Sequence, residues 1–264
     1  MKRGRFFWNG PFPCANRSCM TGAGAQSDQG IVFRGASLVI HGKTILSDLT
    51  LTLIEPRIGI IGQNGSGKTS LLRLMAGLAA PTSGSVMVDG IDPARDRKGM
   101  LSRLGILFQN PDRQILFPTV AEELAFGLRQ QGHKDAEARA RAALAAEGRA
   151  DWADRPTSTL SQGQRQWLCL QAVLLMEPRT ILLDEPFAAL DLPTATRLTR
   201  RLASLPQRLI TISHAPAAVA TCDRLLWLDQ GRIRADGPPA AVLPAFTAEM
   251  ARLGEADADP HLPR

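Results

Sequence analysis

The stretch that decides the fold is Arg57–Leu78, "RIGIIGQNGSGKTSLLRLMAGL". It opens on the apolar residues Ile58, Ile60 and Ile61, a short buried-strand pattern, breaks at Gly62, and resumes after Lys68 with Leu71, Leu72, Met75 and Leu78 at helical spacing. The segment between strand and helix, "GQNGSGKT", matches the phosphate-binding P-loop pattern. Its glycines let the backbone curl around an anion, so that N–H groups and the positive end of the next helix face negative charge. Gly62, Gln63, Asn64, Gly65, Ser66, Gly67, Lys68, Thr69 and Ser70 form the expected nucleotide-binding set. Within it, Lys68 is expected at the β- and γ-phosphate oxygens and Thr69 on a Mg²⁺ ion.

Upstream, "IVFRGASLVI" and "TILSDLTLTL" flank the turn residues His41 and Gly42 and read as antiparallel strands. Downstream, "GSVMVDG" and "RLGILFQN" read as two more strands, and "TILLDEP", "RLITISH" and "RLLWLDQG" as a further three. Strands alternating with helical segments indicate an α/β sheet. Residues from about 112 to 176 are dominated by Ala, Leu, Glu, Arg and Gln, strong helix formers, and read as a helical insertion. There is no internal repeat and no low-complexity tract.

Composition narrows the class. The 264 residues are 44% hydrophobic and 21% charged, with 23 Gly and 18 Pro, which excludes a disordered or collagenous chain. The apolar stretch Trp167–Met176 is interrupted by Gln171 and falls short of the roughly 18 residues of a membrane span, so no bilayer crossing is expected. The formal charge is +6, but Lys2, Arg3, Arg5 and Arg17 against Asp28 place half of that excess in the first 30 residues. The nearly balanced remainder offers no basis for nucleic-acid binding. Residues 1–30, rich in Gly, Asn, Ser and Gln, read as a flexible N-terminal extension before a domain spanning 31–264. No apolar segment of signal-peptide type follows its basic start, and Met20 offers an alternative beginning. Cys14 and Cys19 have no His or further Cys near them to make a metal site, and Cys169 and Cys222 sit among apolar residues, as core thiols of a reducing compartment do.

The strand "TILLDEP" ends in adjacent acids, Asp184 and Glu185. Buried unpaired charge is costly, and a bound Mg²⁺ supplies a reason for it. Asp184 can hold the ion through water while Glu185 polarises an attacking water. "LSQGQRQ", Leu160–Gln166, precedes a helix expected to begin near Gln164 and makes a second anion-binding helix end on the same chain.

With these motifs in order, residues 31–240 resemble the nucleotide-binding subunits of ABC transporters, whose signature reads Leu-Ser-Gly-Gly-Gln. The resemblance extends to Gln109 (the Q-loop), Ala189-Leu190-Asp191 (the D-loop) and His214 after "LITIS" (the switch histidine). It implies an α/β P-loop NTPase core with an antiparallel β subdomain and an inserted α-helical subdomain, binding ATP and Mg²⁺. It also implies a dimer, with a second copy or a second ABC ATPase, in which ATP on one P-loop meets Ser161, Gly163, Gln164 and Asp191 of the other subunit. Gln109 would then sense Mg²⁺ and the attacking water, and His214 the γ-phosphate. Two positions depart from the pattern: Gln162 replaces the second signature glycine, and counting back about eight residues from Asp48 to the usual adenine-stacking aromatic reaches Ile40 in a chain with no Tyr. Aliphatic contact from Ile40, with His41 beside it, would forgo about 0.5–1.5 kcal/mol of aromatic pairing.

After Gln109, "NPDRQ" with Pro118-Thr119-Val120 and the acids Glu122 and Glu123 resembles the ATPases of energy-coupling factor (ECF) importers. There this region receives the transmembrane T component, alongside a substrate-binding S component, at the cytoplasmic face of the membrane. Thr119 and Glu122 also fit a helix-capping box. The approach "TLIEPRIGIIGQNGSGKT" is most similar to the biotin-importer branch, with cobalt or nickel import as the alternative. A non-transport ABC ATPase would carry a long coiled-coil insertion or a second cassette, and the sequence has neither.

Overall fold

The computed structural model describes residues 30–188 and 190–255. The expected N-terminal extension, with Cys14, Cys19 and Met20, lies outside them except for Gly30, as does Ala189 of the D-loop.

β1 (Ile31–Ile40) and β2 (Lys43–Leu53) pair antiparallel through the expected hairpin. His41 and Gly42 take φ of 49° and 77°, the positive values that a tight two-residue turn of matching twist requires. β3 (Arg57–Ile61) leaves for a second sheet, and β4 (Ser83–Val88) returns to pair with the other edge of β1. The second sheet adds β5 (Leu104–Leu107), β6 (Thr180–Asp184), β7 (Arg208–Ser213), β8 (Arg224–Asp229) and β9 (Arg232–Gly237), in the order β5-β6-β7-β3-β8-β9. All its pairings are parallel except β8 with β9. Its inner strands read as unbroken apolar runs because both of their faces are covered. β9 carries no such signal: Arg232, Arg234 and Asp236 leave it half exposed at the sheet edge, and sequence reading misses it.

α1 (Lys68–Met75) follows the P-loop and buries Leu71, Leu72, Leu74 and Met75 against both sheets. Leu78, expected on its apolar face, lies past its end and is exposed. Gly77 turns the chain out at φ 68°, where a Cβ would collide with the backbone of Pro93. After the short α2 (Arg97–Met100), the region 112–176 holds α3 (Val120–Gln130), α4 (Ala136–Ala146) and α5 (Gln162–Leu175) around their own core of Val120, Leu124, Leu144, Trp152 and Leu168. α5 starts two residues before the expected Gln164, because Ser161 already caps it through its hydroxyl. α6 (Leu192–Ala203) and α7 (Pro216–Val219) pack beside the second sheet, and α8 (Pro239–Glu255), not anticipated from sequence, lays Val242 and Phe246 against Trp227.

Glu123 turns inward and Glu122 folds back on its own helix end. Glu122 completes the capping box with Thr119, and Glu123, 5% exposed, accepts hydrogen bonds from the backbone N–H groups of Leu116 and Phe117 at 2.8 and 2.9 Å. The two buried-side donors need an acceptor, and the carboxylate supplies it, so Glu123 is committed within the chain, while Glu122 stays half-buried with only its Oε2 engaged.

Candidate functional site

The register of the parallel sheet assembles the site. Ile61 pairs with Ser213 and Asp184 with Ile212, so the P-loop, the acid pair and His214 all emerge at the carboxyl ends of adjacent strands β3, β6 and β7. This is the edge at which open α/β sheets bind ligands.

Gly65 and Gly67 take φ of 81° and 106°, which lets the loop curl back on itself, and Gly67 gives α1 no side-chain cap. The first-turn N–H groups of α1 therefore face the loop's concavity with no side chain of their own to satisfy them. Ser66 is 5% exposed and its Oγ has no protein partner, an orphaned buried donor that an anion oxygen would satisfy. Lys68 Nζ donates to the carbonyls of Gly62 and Gln63 at 2.6 and 2.7 Å, folded across the loop it is expected to serve. Burial pushes the Lys68 pKa below the ordinary lysine value, while Glu185 and Asp184 pull it back up. The residues present fit a polyphosphate.

Thr69, Gln109 and Asp184 line one cavity of about 720 Å³ beside the P-loop. All three offer oxygen, the donor type that suits Mg²⁺. Burial lifts the Asp184 carboxyl above its usual range, with the Glu185 charge adding to the shift and Lys68 opposing it.

Glu185 sits at φ 46° and is held by a ring of donors. Ser213 Oγ donates to its Oε2 at 2.8 Å, the His214 backbone N–H donates to Oε1 at 2.8 Å, and His214 Nδ1 lies 2.6 Å from Oε1. The sequence reading identified both partners of the acid–histidine pair but passed over Ser213. The signal was present in "LITIS", a hydroxyl placed among apolar strand residues immediately before the histidine.

A second cavity, of about 520 Å³, holds Ser161, Gly163, Gln164 and Asp191, with none of the P-loop residues. Ser161 caps α5 and exchanges bonds with Gln164, whose Oε1 accepts from the Ser161 N–H at 2.8 Å. Asp191 caps α6 through the Thr194 N–H at 3.0 Å, and the Thr194 hydroxyl first, then this N–H, hold its carboxyl below the usual range. At Gly163 a Cβ would lie 2.8 Å from Thr194 Cγ2, so a side chain there would press on Thr194 at the start of α6. At Gln162 the backbone is ordinary helix and the side chain is exposed. Ile40 is 37% exposed at the tip of the β1–β2 hairpin and lines neither of these two cavities.

A P-loop at the mouth of a parallel sheet, with an acid pair two strands away and a second helix N-terminus on an inserted helical subdomain, defines an ATP-binding cassette. The chain belongs to the ABC transporter family, which it matches over residues 46–188. It is 55% identical over 232 residues to the biotin transport ATP-binding protein BioM of Rhodobacter capsulatus, covering 87% of this chain and 99% of that one. It is 36% identical to the cobalt import ATP-binding protein CbiO of Syntrophus aciditrophicus, over 81% of this chain and 84% of that one. Among solved structures, cbiO1 of Clostridium perfringens, described as part of the ABC transporter complex cbiONQ, superimposes with a TM-score of 0.71 at 28% identity, covering 87% of this chain and 96% of that one. The chain is an ATPase of the ABC transporter family.

Proposed function

We propose that the chain energises an ECF-type importer whose cargo is biotin, working at the cytoplasmic face of the membrane as a peripheral subunit beneath a T component and an S component. The observation that carries this reading is the likeness to BioM of Rhodobacter capsulatus along 99% of that protein. The "NPDRQ" segment adds to it: Gln114 ties this loop to β5 through the Phe108 N–H and the Ile106 carbonyl, and the loop presents Leu116, 68% exposed, at the rim of the helical subdomain. Among the described residues no helix is long and apolar enough to cross a membrane, so transport needs membrane partners. Copurification from mild detergent, followed by labelled-biotin uptake in vesicles, tests the cargo. Uptake of cobalt or nickel without biotin would overturn it in favour of the metal-ion reading that the CbiO likeness represents.

In the cassette itself, the P-loop N–H groups, Ser66 and Lys68 bind the phosphates, and Thr69, Asp184 and Gln109 would hold Mg²⁺ with phosphate oxygens and water completing its shell. Bound Mg²⁺ supplies the charge that neutralises the phosphate oxygens as the terminal phosphoryl group departs. Glu185 orients the attacking water and takes its proton, and His214 meets the γ-phosphate from the neighbouring strand end. Ile40 makes the aliphatic contact to adenine. Ser161, Gly163 and Gln164, with Asp191 beside them, serve the ATP of a second subunit, either another copy or a related ATPase. These four line a different cavity from the one that holds Thr69 and Asp184, which the signature segment reaches only through Gln162 and Arg165, and this supports that arrangement. Gln162 leaves the helix end intact.

Lys68→Ala is expected to abolish ATP binding, whereas Glu185→Gln binds ATP, keeps only a small residual turnover and accumulates as a closed dimer on size-exclusion chromatography with ATP and Mg²⁺. A Glu185→Gln protein that stays monomeric and hydrolyses ATP at the normal rate would overturn these roles.

A further inference from the structure

We propose that Ser213 is a positioning residue for ATP hydrolysis, acting through Glu185; the proposal rests on the reading of Glu185 as the residue that orients the attacking water. Ser213 is the last residue of β7, pairing with Ile61, the final strand residue before the P-loop, and its neighbour Ile212 accepts the Glu185 backbone N–H at 2.9 Å. It therefore stands between the strand that carries the phosphate loop and the strand that carries the acid pair. Its side chain is 2% exposed, a setting in which a hydroxyl must be satisfied by protein. Both of its capacities are in use: Oγ accepts from the Ala215 N–H at 3.1 Å and donates its one proton to Glu185 Oε2 at 2.8 Å.

The accepted bond shapes the turn after β7 and would be enough to explain a serine as a structural residue. The donated bond is different, because it fixes one oxygen of a side chain 28 residues away whose other oxygen is already taken by the backbone and ring of His214. Two anchors on opposite oxygens leave the carboxylate no rotation about its terminal bond. With Ser213 removed, only the Oε1 anchors remain, both on His214, whose ring is the more exposed partner at 59%. The carboxylate plane is then free to swing about that contact, and hydrolysis, which depends on the placement of the water-orienting oxygen, suffers more than nucleotide binding.

The test is Ser213→Ala, which shrinks a buried side chain and leaves the strand register unaltered. The expected result is a fall in kcat of about tenfold or more, with KM for ATP and the affinity for ATP of the non-turning enzyme within about twofold of wild type. Ser213→Thr, which keeps the hydroxyl, is expected to restore most of the rate. In a Glu185→Gln background Ser213→Ala should lower the residual rate no further, since the group it positions has lost its charge. An equal loss of rate in both backgrounds, or a loss of ATP affinity matching the loss of kcat, would make Ser213 structural only and overturn the proposal. The outcomes also separate the two claims: a Glu185→Gln protein with normal turnover removes the role of Glu185 itself, whereas a nearly inactive Glu185→Gln beside a fully active Ser213→Ala removes only Ser213.

Discussion

Asp184 and Glu185 are neighbours with opposite situations. Glu185 has its oxygens occupied by Ser213 and His214, while Asp184 is lifted above its usual range by burial and by Glu185, with Lys68 only partly compensating. The folded chain holds the Asp184 proton more tightly than the unfolded chain does. Stability associated with that proton is present below the unfolded carboxylate range and is lost as pH rises through the lifted folded value. Above that value the ionised Asp184 therefore costs the nucleotide-free fold stability. Asp184→Asn should raise Tm there without nucleotide or Mg²⁺, and the gain should shrink as pH falls through the lifted value and the native carboxyl becomes neutral. The same substitution should weaken Mg²⁺-dependent turnover. Equal Tm values for the two proteins across this range would show that Asp184 is already well compensated in the free chain. Cys169 lies at the other extreme, buried to 0% exposure with its thiol pushed up to about 12 by desolvation, a core residue without redox reach.

At the scale of elements, helix ends do much of the work. Thr119 with Glu122 and Ser161 with Gln164 form two capping boxes, one opening the helix after the Q-loop and the other opening the signature helix. Both boxes satisfy N–H groups that a helix cannot satisfy for itself. Glu123 has a longer reach, back over the turn to the Leu116 and Phe117 N–H groups, and so fixes the loop that displays Leu116. Glu123→Ala leaves both donors buried without an acceptor and is expected to cost about 1–3 kcal/mol, against about 0.5–2 kcal/mol for loss of a cap at Thr119→Ala. Urea denaturation of the two variants compares these costs, and a Glu123→Ala protein as stable as wild type would show that water replaces the carboxylate. Reversing both acids to Lys would damage this loop from within, so a loss of partner binding in that variant would not identify a contact across the interface.

At the scale of the molecule, the two sheets and the P-loop meet at Gly231, in the β8–β9 turn. Its N–H donates to the Ser66 carbonyl at 3.0 Å and its carbonyl accepts the Ser47 N–H from β2 at 2.9 Å. Gly231 has φ 75°, and a Cβ there would lie 2.3 Å from the Ile45 carbonyl oxygen, which is backbone and cannot swing away. Gly231→Ala is expected to cost about 2 kcal/mol or more and to weaken ATP binding along with stability. Thermal unfolding with an ATP titration would check both, and an unchanged affinity would mean that the P-loop keeps its shape without this clasp. What the sequence by itself determined about this protein is what neighbours along the chain decide: the strand–loop–helix of the P-loop, the capping boxes, the apolar inner strands, the order of the motifs. Each leaves a local signature because its physical cause, a turn needing positive φ or a helix end needing an acceptor, acts within a few residues. β9, α8, the inward turn of Glu123, the clasp at Gly231 and the bond from Ser213 to Glu185 were decided only by the tertiary structure. The partners in the last two cases are tens to hundreds of residues apart, and parallel register, which no run of residues records, is what brings the P-loop strand, the acid strand and the histidine strand to one edge.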